Sequence, residues 1–443
     1  MAMRIPQRRR RDLAVLLCIG LLPAPTAADT VPTPPVAVEL PDLNAKERAW
    51  AQDPTLISGP LRIGFGRPVP VARALRALAP TRWQQTADGG HLLAVRLRSP
   101  DALGLRIAVQ TAAWPIAALL GFFDAEGTVA ALFSGAELNA VHGPFWSPLL
   151  QGESALITIA LPPGYDPAAT VIALPQVSHL VRNLFDDVGT GESAGNSCRL
   201  DVACHPRWER ASRATALLLY TDRTGGTGSC TGTLLRDADP TTDVPYVVTA
   251  RHCVPYQGRA SSIEAVWFHR GARCGDRTGL PVRAVSGGAE LLRADALTDI
   301  SLLRLRRPVP PGPVFADWSV GVPGLDTVLA SVHQQQGLRQ AIALGRVTAM
   351  VPCAEVPLCE GEGADDEGHY LRVRWEQGGT DIGSSGSGLF LPTGALVGVL
   401  SGGYGDCEGT PGPDHYGRFD LAYRAGLQRW LGPAMARRAA TQE

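Results

Sequence analysis

Apolar and polar positions alternate with a period of two along much of this chain, the pattern of strands that bury one face. Between about residues 62 and 181 the clearest case is Leu105, Ile107 and Val109 set against Arg106, Ala108 and Gln110. Leu156-Ile157-Thr158-Ile159 and Val171-Ile172-Ala173-Leu174 are short β-rich runs between turn residues in the same region. Regular short strands predict an all-β sandwich there. Residues 29–60 begin rich in proline and read as an extended lead-in. Between Asp186 and Asn196 the composition shifts to Gly, Asp, Glu and Ser, which predicts a boundary between two folded units. Beyond it, short strands separated by Gly, Pro and Asp turns continue to about residue 422 and predict a second all-β unit. Leu421–Leu431 carries apolar residues at helical spacing before the stop Gly432-Pro433, and predicts a closing helix. Residues 434–443 read as a disordered tail. There is no internal repeat.

The amino end has a different character. Arg4 and Arg8 to Arg11 precede an apolar run, Leu13–Leu22, and the small residues Thr26-Ala27-Ala28. That order is a secretory signal peptide over residues 1–28. The run is half of the roughly 20 apolar residues that a membrane span needs, and Leu17 stands before Cys18 where lipid attachment would want a small residue. An exported protein, extracellular or periplasmic and without a membrane anchor after removal of the leader, is therefore expected. The chain divides on this reading into 1–28, a β-rich unit 29–190, a second unit 191–433 and the tail.

Charge adds only exclusions. The formal net charge of −1, with both signs interspersed, argues against a nucleic-acid binder. Cysteine usage says more. Of nine cysteines, Cys18 lies in the leader and none lies between residues 29 and 190. The remaining Cys198, Cys204, Cys230, Cys253, Cys274, Cys353, Cys359 and Cys407 form an even set in an exported chain, which predicts disulfides. The Cys198/Cys204 and Cys353/Cys359 spacings are too wide for a zinc site. The histidines other than His252 make no metal pattern, and Asp365-Asp366-Glu367 reads as a solvated loop without EF-hand spacing.

A serine hydroxyl is a poor nucleophile near neutral pH unless an imidazole takes its proton and a carboxylate orients the imidazole. Tyr246-Val247-Val248-Thr249-Ala250-Arg251-His252-Cys253 is a buried strand running into a histidine, and Asp299-Ile300-Ser301-Leu302-Leu303 is an acid opening another. Gly383-Ser384-Ser385-Gly386-Ser387-Gly388 is a serine flanked by glycines, where the backbone can turn sharply and a substrate can approach. Each piece alone is weak. Together they give the order His, Asp, Ser, at separations of 47 and 86 residues, within one all-β region.

That order, with Thr249-Ala250-Arg251-His252-Cys253, resembles the chymotrypsin-like serine proteases and, within them, the bacterial lysyl endopeptidases. The resemblance covers residues 195–433. Ser197 to Cys204 looks like that family's mature amino terminus, and Cys230-Thr231-Gly232-Thr233-Leu234 like the strand before the histidine. Trp375 to Ser387 is similar to the approach to the nucleophile, and Asp414-His415-Tyr416-Gly417-Arg418 to a late signature. The resemblance implies a double six-stranded β-barrel with a carboxyl-terminal helix, preceded by a sandwich-like propeptide or permanent accessory unit.

Carried over by position, it makes Ser385 the nucleophile, His252 the general acid and base, and Asp299 its partner. The N–H groups of Gly383 and Ser385 become the oxyanion hole, and Ser401-Gly402-Gly403 the edge that pairs with substrate backbone. It also implies the bridges Cys198–Cys407, Cys204–Cys274 and Cys230–Cys253, with Cys353 and Cys359 left to a small local loop. The acid that trypsin-like pockets carry six residues before the nucleophile is absent, since Gly379 stands there. Asp414, with Thr380 and Asp381, is implied to line a pocket for lysine instead. Ser401 stands where the family enzyme has a histidine, a departure from its pattern. No cofactor or metal is implied, the partners are protein or peptide substrates and the chain's own propeptide, and a monomer is expected. Two other readings stay open: an inactive protease-shaped binding module, and a serine protease without basic specificity. Lys46 is the only lysine in the chain, so a lysine-specific enzyme cannot release itself near residue 190, although arginine-biased codon usage accounts for the same scarcity.

Overall fold

The computed structural model describes residues 35–52, 61–71, 79–170, 172–185, 199–239, 241–276, 279–352, 368–403 and 412–433. The expected signal peptide, the boundary stretch 186–196 and the tail lie outside the described residues, as do Cys198, Cys353, Cys359 and Cys407.

The carboxyl-terminal half forms the expected all-β double barrel. In its second barrel, six strands pair in a ring: Val328–His333, Ala341–Val351, Tyr370–Gln377, Asp414–Arg418, Leu396–Gly403 and Gly388–Phe390, which returns to Val328–His333. Its interior is filled by Leu329, Val347, Leu371, Val373, Leu389 and Tyr416. In the first barrel, Thr215–Thr221, Thr227–Leu235, Tyr246–Ala250 and Ile300–Leu305 pair in succession. Ile300–Leu305 then pairs with Ala289–Asp295, while Thr215–Thr221 pairs on its other side with Glu264–Trp267, and that strand with Arg283–Val285. Arg283–Val285 and Ala289–Asp295 are separated only by Ser286-Gly287-Gly288, so they act as one bent strand that closes the ring at six. Strands so rich in Val, Leu, Ile and Thr are buried on both sides, as the unbroken burial of Thr215–Thr221 and Tyr246–Ala250 shows.

The closing helix begins two residues before its expected start, as Phe419–Ala422, passes through a wider turn over Tyr423–Leu427, and ends as Gln428–Leu431. Phe419, Leu427 and Leu431 pack onto the core shared by the two barrels.

The amino-terminal half is the expected pair of sheets, but one of them is not its own. The first sheet is self-contained, with Val36–Glu39, His91–Arg98, Ser154–Leu161, Leu119–Phe123 and Val129–Ser134 in spatial order. The second carries Gly104–Thr111, Gln176–Leu180 and Leu61–Pro68, and then continues across into Thr227–Leu235 of the first barrel. The seam is dry. Leu61, Ile63, Leu180 and Leu184 of one half pack with Leu217, Leu219 and Val266 of the other, each worth roughly 1.5–3 kcal/mol of transfer free energy when fully buried.

The expected alternation fails where the seam demands it. Gly104–Thr111 is buried on both faces, and Arg106, read as an outward position, is 1% exposed. Its guanidinium crosses the seam to Thr221 Oγ1 at 2.8 Å and the Ser262 carbonyl at 2.6 Å. Buried Glu264 on the far side accepts the Leu149 amide at 2.8 Å. Desolvation lowers Arg106 to about 10 and raises Glu264, and each partly offsets the other. Arg106→Met leaves Glu264 buried without its compensating charge. A loss of about 3 kcal/mol in the full chain is expected, measured as a fall in the denaturant midpoint at unchanged slope; an unchanged midpoint contradicts this account of the seam.

Candidate active site

Two barrels meet at this site, and each supplies part of it. His252 follows the buried strand Tyr246–Ala250, and the Cys230–Cys253 disulfide ties the turn beside it to the neighbouring strand. Asp299 grips that turn at three points. Its Oδ1 accepts the His252 amide at 2.9 Å, its Oδ2 lies 2.6 Å from His252 Nδ1, and its carbonyl accepts the Arg251 amide at 2.7 Å. A carboxylate can only accept, so Nδ1 carries the proton and Nε2 is left as the basic nitrogen. Asp299 holds a left-handed backbone, φ 52°, unusual for a residue with a side chain. The turn before it is fixed by Asp295, whose Oδ2 accepts both the amide and the hydroxyl of Thr298.

Ser401 adds a contact that its expected place on the substrate edge did not suggest. Its hydroxyl donates to Asp299 Oδ2 at 2.7 Å. The ladder between Leu396–Gly403 and Asp414–Arg418 shifts register between Leu400 and Gly402, and a bulge of this kind re-aims the side chain it carries. Ser401, Gly402 and Gly403 are half-buried at the end of their strand.

The serine loop is held by its backbone. The Ser385 carbonyl accepts the Thr231 amide at 2.8 Å and the Gly386 amide donates to the Leu400 carbonyl at 2.8 Å. A Cβ on Gly386 would lie 2.2 Å from Thr249 Oγ1 and 2.3 Å from the Thr231 carbonyl, so the loop reaches the histidine strand only because residue 386 has no side chain. Among the described residues Ser385 Oγ makes no hydrogen bond, and such contacts commonly tighten only on substrate binding. Its neighbours are occupied. Ser384 Oγ lies 2.9 Å from Nδ1 of buried His333, and Ser387 Oγ accepts from Ser331 at 3.1 Å. Gly383 has φ +94°, and Thr231 Oγ1 donates to its carbonyl at 3.1 Å. The amides of Gly383 and Ser385 make no hydrogen bond among the described residues, which leaves two adjacent donors for an incoming oxygen.

Asp414 is fully buried and pairs with Gly403 at the end of the neighbouring strand. Its Oδ2 accepts the Trp375 indole N–H at 2.5 Å and the Thr380 hydroxyl at 2.6 Å, while Oδ1 is buried without a partner. Burial pushes its carboxyl up to about 6, against the two hydrogen bonds that lower it. That lies above the ordinary 3.8, so the ionised form weighs against the fold as pH rises through about 6. A Cβ on Gly403 would sit 1.8 Å from Oδ1, so only glycine fits beside that oxygen. Asp381, expected beside Asp414, is turned to Gln336, whose Nε2 donates to its Oδ2 at 2.6 Å, and its Oδ1 accepts the Ile382 amide.

Sequence reading passed over Thr231, Trp375 and Gln336 as participants. Thr231 and Trp375 stood inside quoted motifs, but nothing in the chain linked Gln336 to Asp381. Of the implied bridges, Cys204–Cys274 and Cys230–Cys253 are present; Cys198–Cys407 and Cys353–Cys359 lie outside the described residues. His252 and the sulfurs of Cys230 and Cys253 lie within 4.8 Å of one another, but the sulfurs are bonded to each other and so are not free to ligate a metal.

The double barrel, with a histidine–carboxylate pair in one barrel and a serine turn in the other, is that of a serine endopeptidase of the chymotrypsin type. Residues 191–417 match the family model "Lysyl endopeptidase, C-terminal domain", and residues 36–181 match "Lysyl endopeptidase N-terminal domain". The chain belongs to the lysyl endopeptidase family. A lysyl endopeptidase of Pseudomonas aeruginosa is 29% identical over 398 residues, covering 84% of this chain and 82% of the relative. Among solved structures, the HtrA-type protease AlgW with tripeptide is 17% identical at a TM-score of 0.35, covering 50% of this chain and 62% of that one. A serine endoprotease from Yersinia pestis is 17% identical at a TM-score of 0.33, covering 49% and 63%. This chain therefore spans less than two thirds of those two structures.

Gly386→Ala forces the serine turn away from the histidine strand. It is expected to lower kcat at least about 100-fold, the scale of a displacement of about an ångström at a reacting group, while KM changes little. Steady-state kinetics on a peptide amide check this, and near-normal kcat contradicts it.

Proposed function

We propose that the chain is the exported precursor of a serine endopeptidase that cuts after a basic residue and prefers lysine to arginine. Ser385 is the nucleophile, His252 the general acid and base, and Asp299 the group that orients it. His252 Nε2 takes the proton of Ser385 Oγ as Oγ bonds to the scissile carbonyl carbon. The carbonyl oxygen becomes an oxyanion facing the amides of Gly383 and Ser385, where one donor is worth about 3–4 kcal/mol in the transition state. His252 then gives its proton to the leaving nitrogen as the C–N bond breaks, and water reverses the sequence on the acyl-enzyme. Asp299 holds the imidazole in place throughout.

The observation that carries the specificity is the unpartnered Oδ1 of buried Asp414. Desolvated and aimed past Gly403, it favours a cation strongly. Its partner oxygen is already taken by Trp375 and Thr380. One open oxygen suits the point charge of an ammonium, whereas a guanidinium fork is matched by two. Export is supported by the leader pattern, the two disulfides and the related lysyl endopeptidase. Residues 29–190 are read as a propeptide, with the active form starting between residues 183 and 198. Arg182 is the nearest basic residue to that start, so the activating cut would not follow a lysine. Full-length residues 29–443 in an active preparation, found by amino-terminal sequencing, would exclude removal.

Ser385→Ala and His252→Ala are each expected to lower kcat on the order of 10⁴-fold or more, since the triad acts as a unit. Ser384→Ala and Ser387→Ala are the controls and should be far less sensitive. Substantial turnover by folded Ser385→Ala refutes the nucleophile.

For specificity, the ratio of kcat/KM for a lysine peptide over its norleucine analogue cancels any pH dependence that the two substrates share. The ratio is expected to fall as pH drops through about 6, where Asp414 takes up its proton. In Asp414→Asn it is expected to be small and flat with pH. A pH-independent ratio in the wild type, or a lysine preference that survives the substitution, removes Asp414 from the role.

A further inference from the structure

We propose that the amino-terminal unit lays its strand Leu61–Pro68 along the leaving-group half of the substrate cleft, in the direction a substrate runs, and so excludes extended peptides from the uncut chain. The proposal rests on reading the chain as a precursor endopeptidase.

Ser385 sits between two strand edges. On one side the Gly386 amide bonds the Leu400 carbonyl, and the strand continues into Ser401-Gly402-Gly403, the edge assigned to the acyl half of a substrate. On the other side Thr231 holds the carbonyls of both Ser385 and Gly383, and the same strand leads back to Ser229, Gly228 and Thr227. A peptide crossing Ser385 from the first edge must lay its leaving half along the second.

That edge is occupied. Ser229 pairs with Leu61, Gly228 with Arg62 and Thr227 with Gly64, antiparallel. This is strand addition, the mode by which proteases read extended peptides. The polarity also matches. Leu61, the first residue of its strand, is the one beside the oxyanion turn: its Cδ2 lies 3.5 Å from where a Cβ would stand on Gly383, and 3.5 Å from the same point on Gly337. Later residues run outward, until Gly66 packs against Thr224 and Gly225. The amine half of a cleaved peptide likewise begins at the serine and runs away from it.

The Leu61 side chain is 3% exposed and clusters with Leu184 and Ile382, the residue just before Gly383. It thus fills a side pocket next to the catalytic turn. The strand is tethered as well as paired, because Arg106 and the Arg307–Glu137 ion pair fasten the same unit elsewhere on the seam. Tethering makes its effective concentration far exceed that of a free peptide.

The test uses the full chain, verified as uncut by mass spectrometry before and after assay, and the same enzyme after its activating cut. Two substrates share one acyl half ending in lysine. One is a methyl ester, and the other is extended by four residues beyond the scissile bond. The uncut chain is expected to show at least a 100-fold lower kcat/KM than the cut enzyme on the extended peptide, and less than a tenfold deficit on the ester. Leu61→Asp in the uncut chain is expected to recover at least tenfold on the extended peptide, with ester hydrolysis unchanged as the sign of a folded centre. Equal loss on both substrates overturns this mode of blocking but leaves the precursor reading standing. Equal activity on both before and after the cut overturns the precursor reading itself. The wild-type comparison decides even where Leu61→Asp fails to fold.

Discussion

The bond from the Thr231 amide to the Ser385 carbonyl is the joint on which the rest of this structure depends. The histidine and its carboxylate are built by the first barrel and the serine turn by the second, so neither barrel alone brings them together. Thr231 spans the gap twice, by its amide and by its hydroxyl to the Gly383 carbonyl. The approach is close enough that a single methylene on Gly386 has no room. A second bridge runs the other way. Ser401 of the second barrel reaches Asp299 of the first, and Gly417 passes so near the Thr298 carbonyl that its Cβ would lie 1.8 Å away. The candidate groups are thereby positioned by rigid strands and backbone contacts rather than by flexible side chains.

The electrostatics follow from what is buried and what is satisfied. Both carboxylate oxygens of Asp299 find partners, and the geometry fixes which histidine nitrogen is basic. Asp414 is different. Holding a half-satisfied carboxylate inside a barrel costs stability, as its upward shift records.

Much of the candidate site was legible in the chain because its parts are local. His252 stands at the end of an apolar strand beside a cysteine, Asp299 opens another, and Ser385 lies between glycines. The closing helix was legible from its spacing, though the wide turn around Gly426, at φ +144°, was not. What stayed hidden depends on partners far away in sequence. Arg106 reads as a solvent position until the strand it belongs to is placed at a seam, where its charge meets Glu264. Val171–Leu174 reads as one strand, yet among the described residues only Ile172–Ala173 pairs. The continuation of Leu61–Pro68 into Thr227–Leu235 joins residues more than 160 positions apart, with no local signal in either segment. Asp381 shows the same limit at short range, since its neighbours in sequence do not reveal that Gln336 takes its carboxylate.

The shared sheet has a consequence for colloidal behaviour. A sheet that runs unbroken from one half into the other has no free edge at Thr227–Ser229, and the apolar strip of Leu217, Leu219 and Val266 is sealed from water. Taking away the amino-terminal unit would turn both into surface at once: a row of unpaired amides and carbonyls beside a greasy stripe, the combination that promotes edge-to-edge association between molecules. A protease released in that state would be most prone to clump in its first moments, before substrate or solvent settles on the exposed edge. Its covering strand would therefore serve as a solubility device as much as a part of the fold.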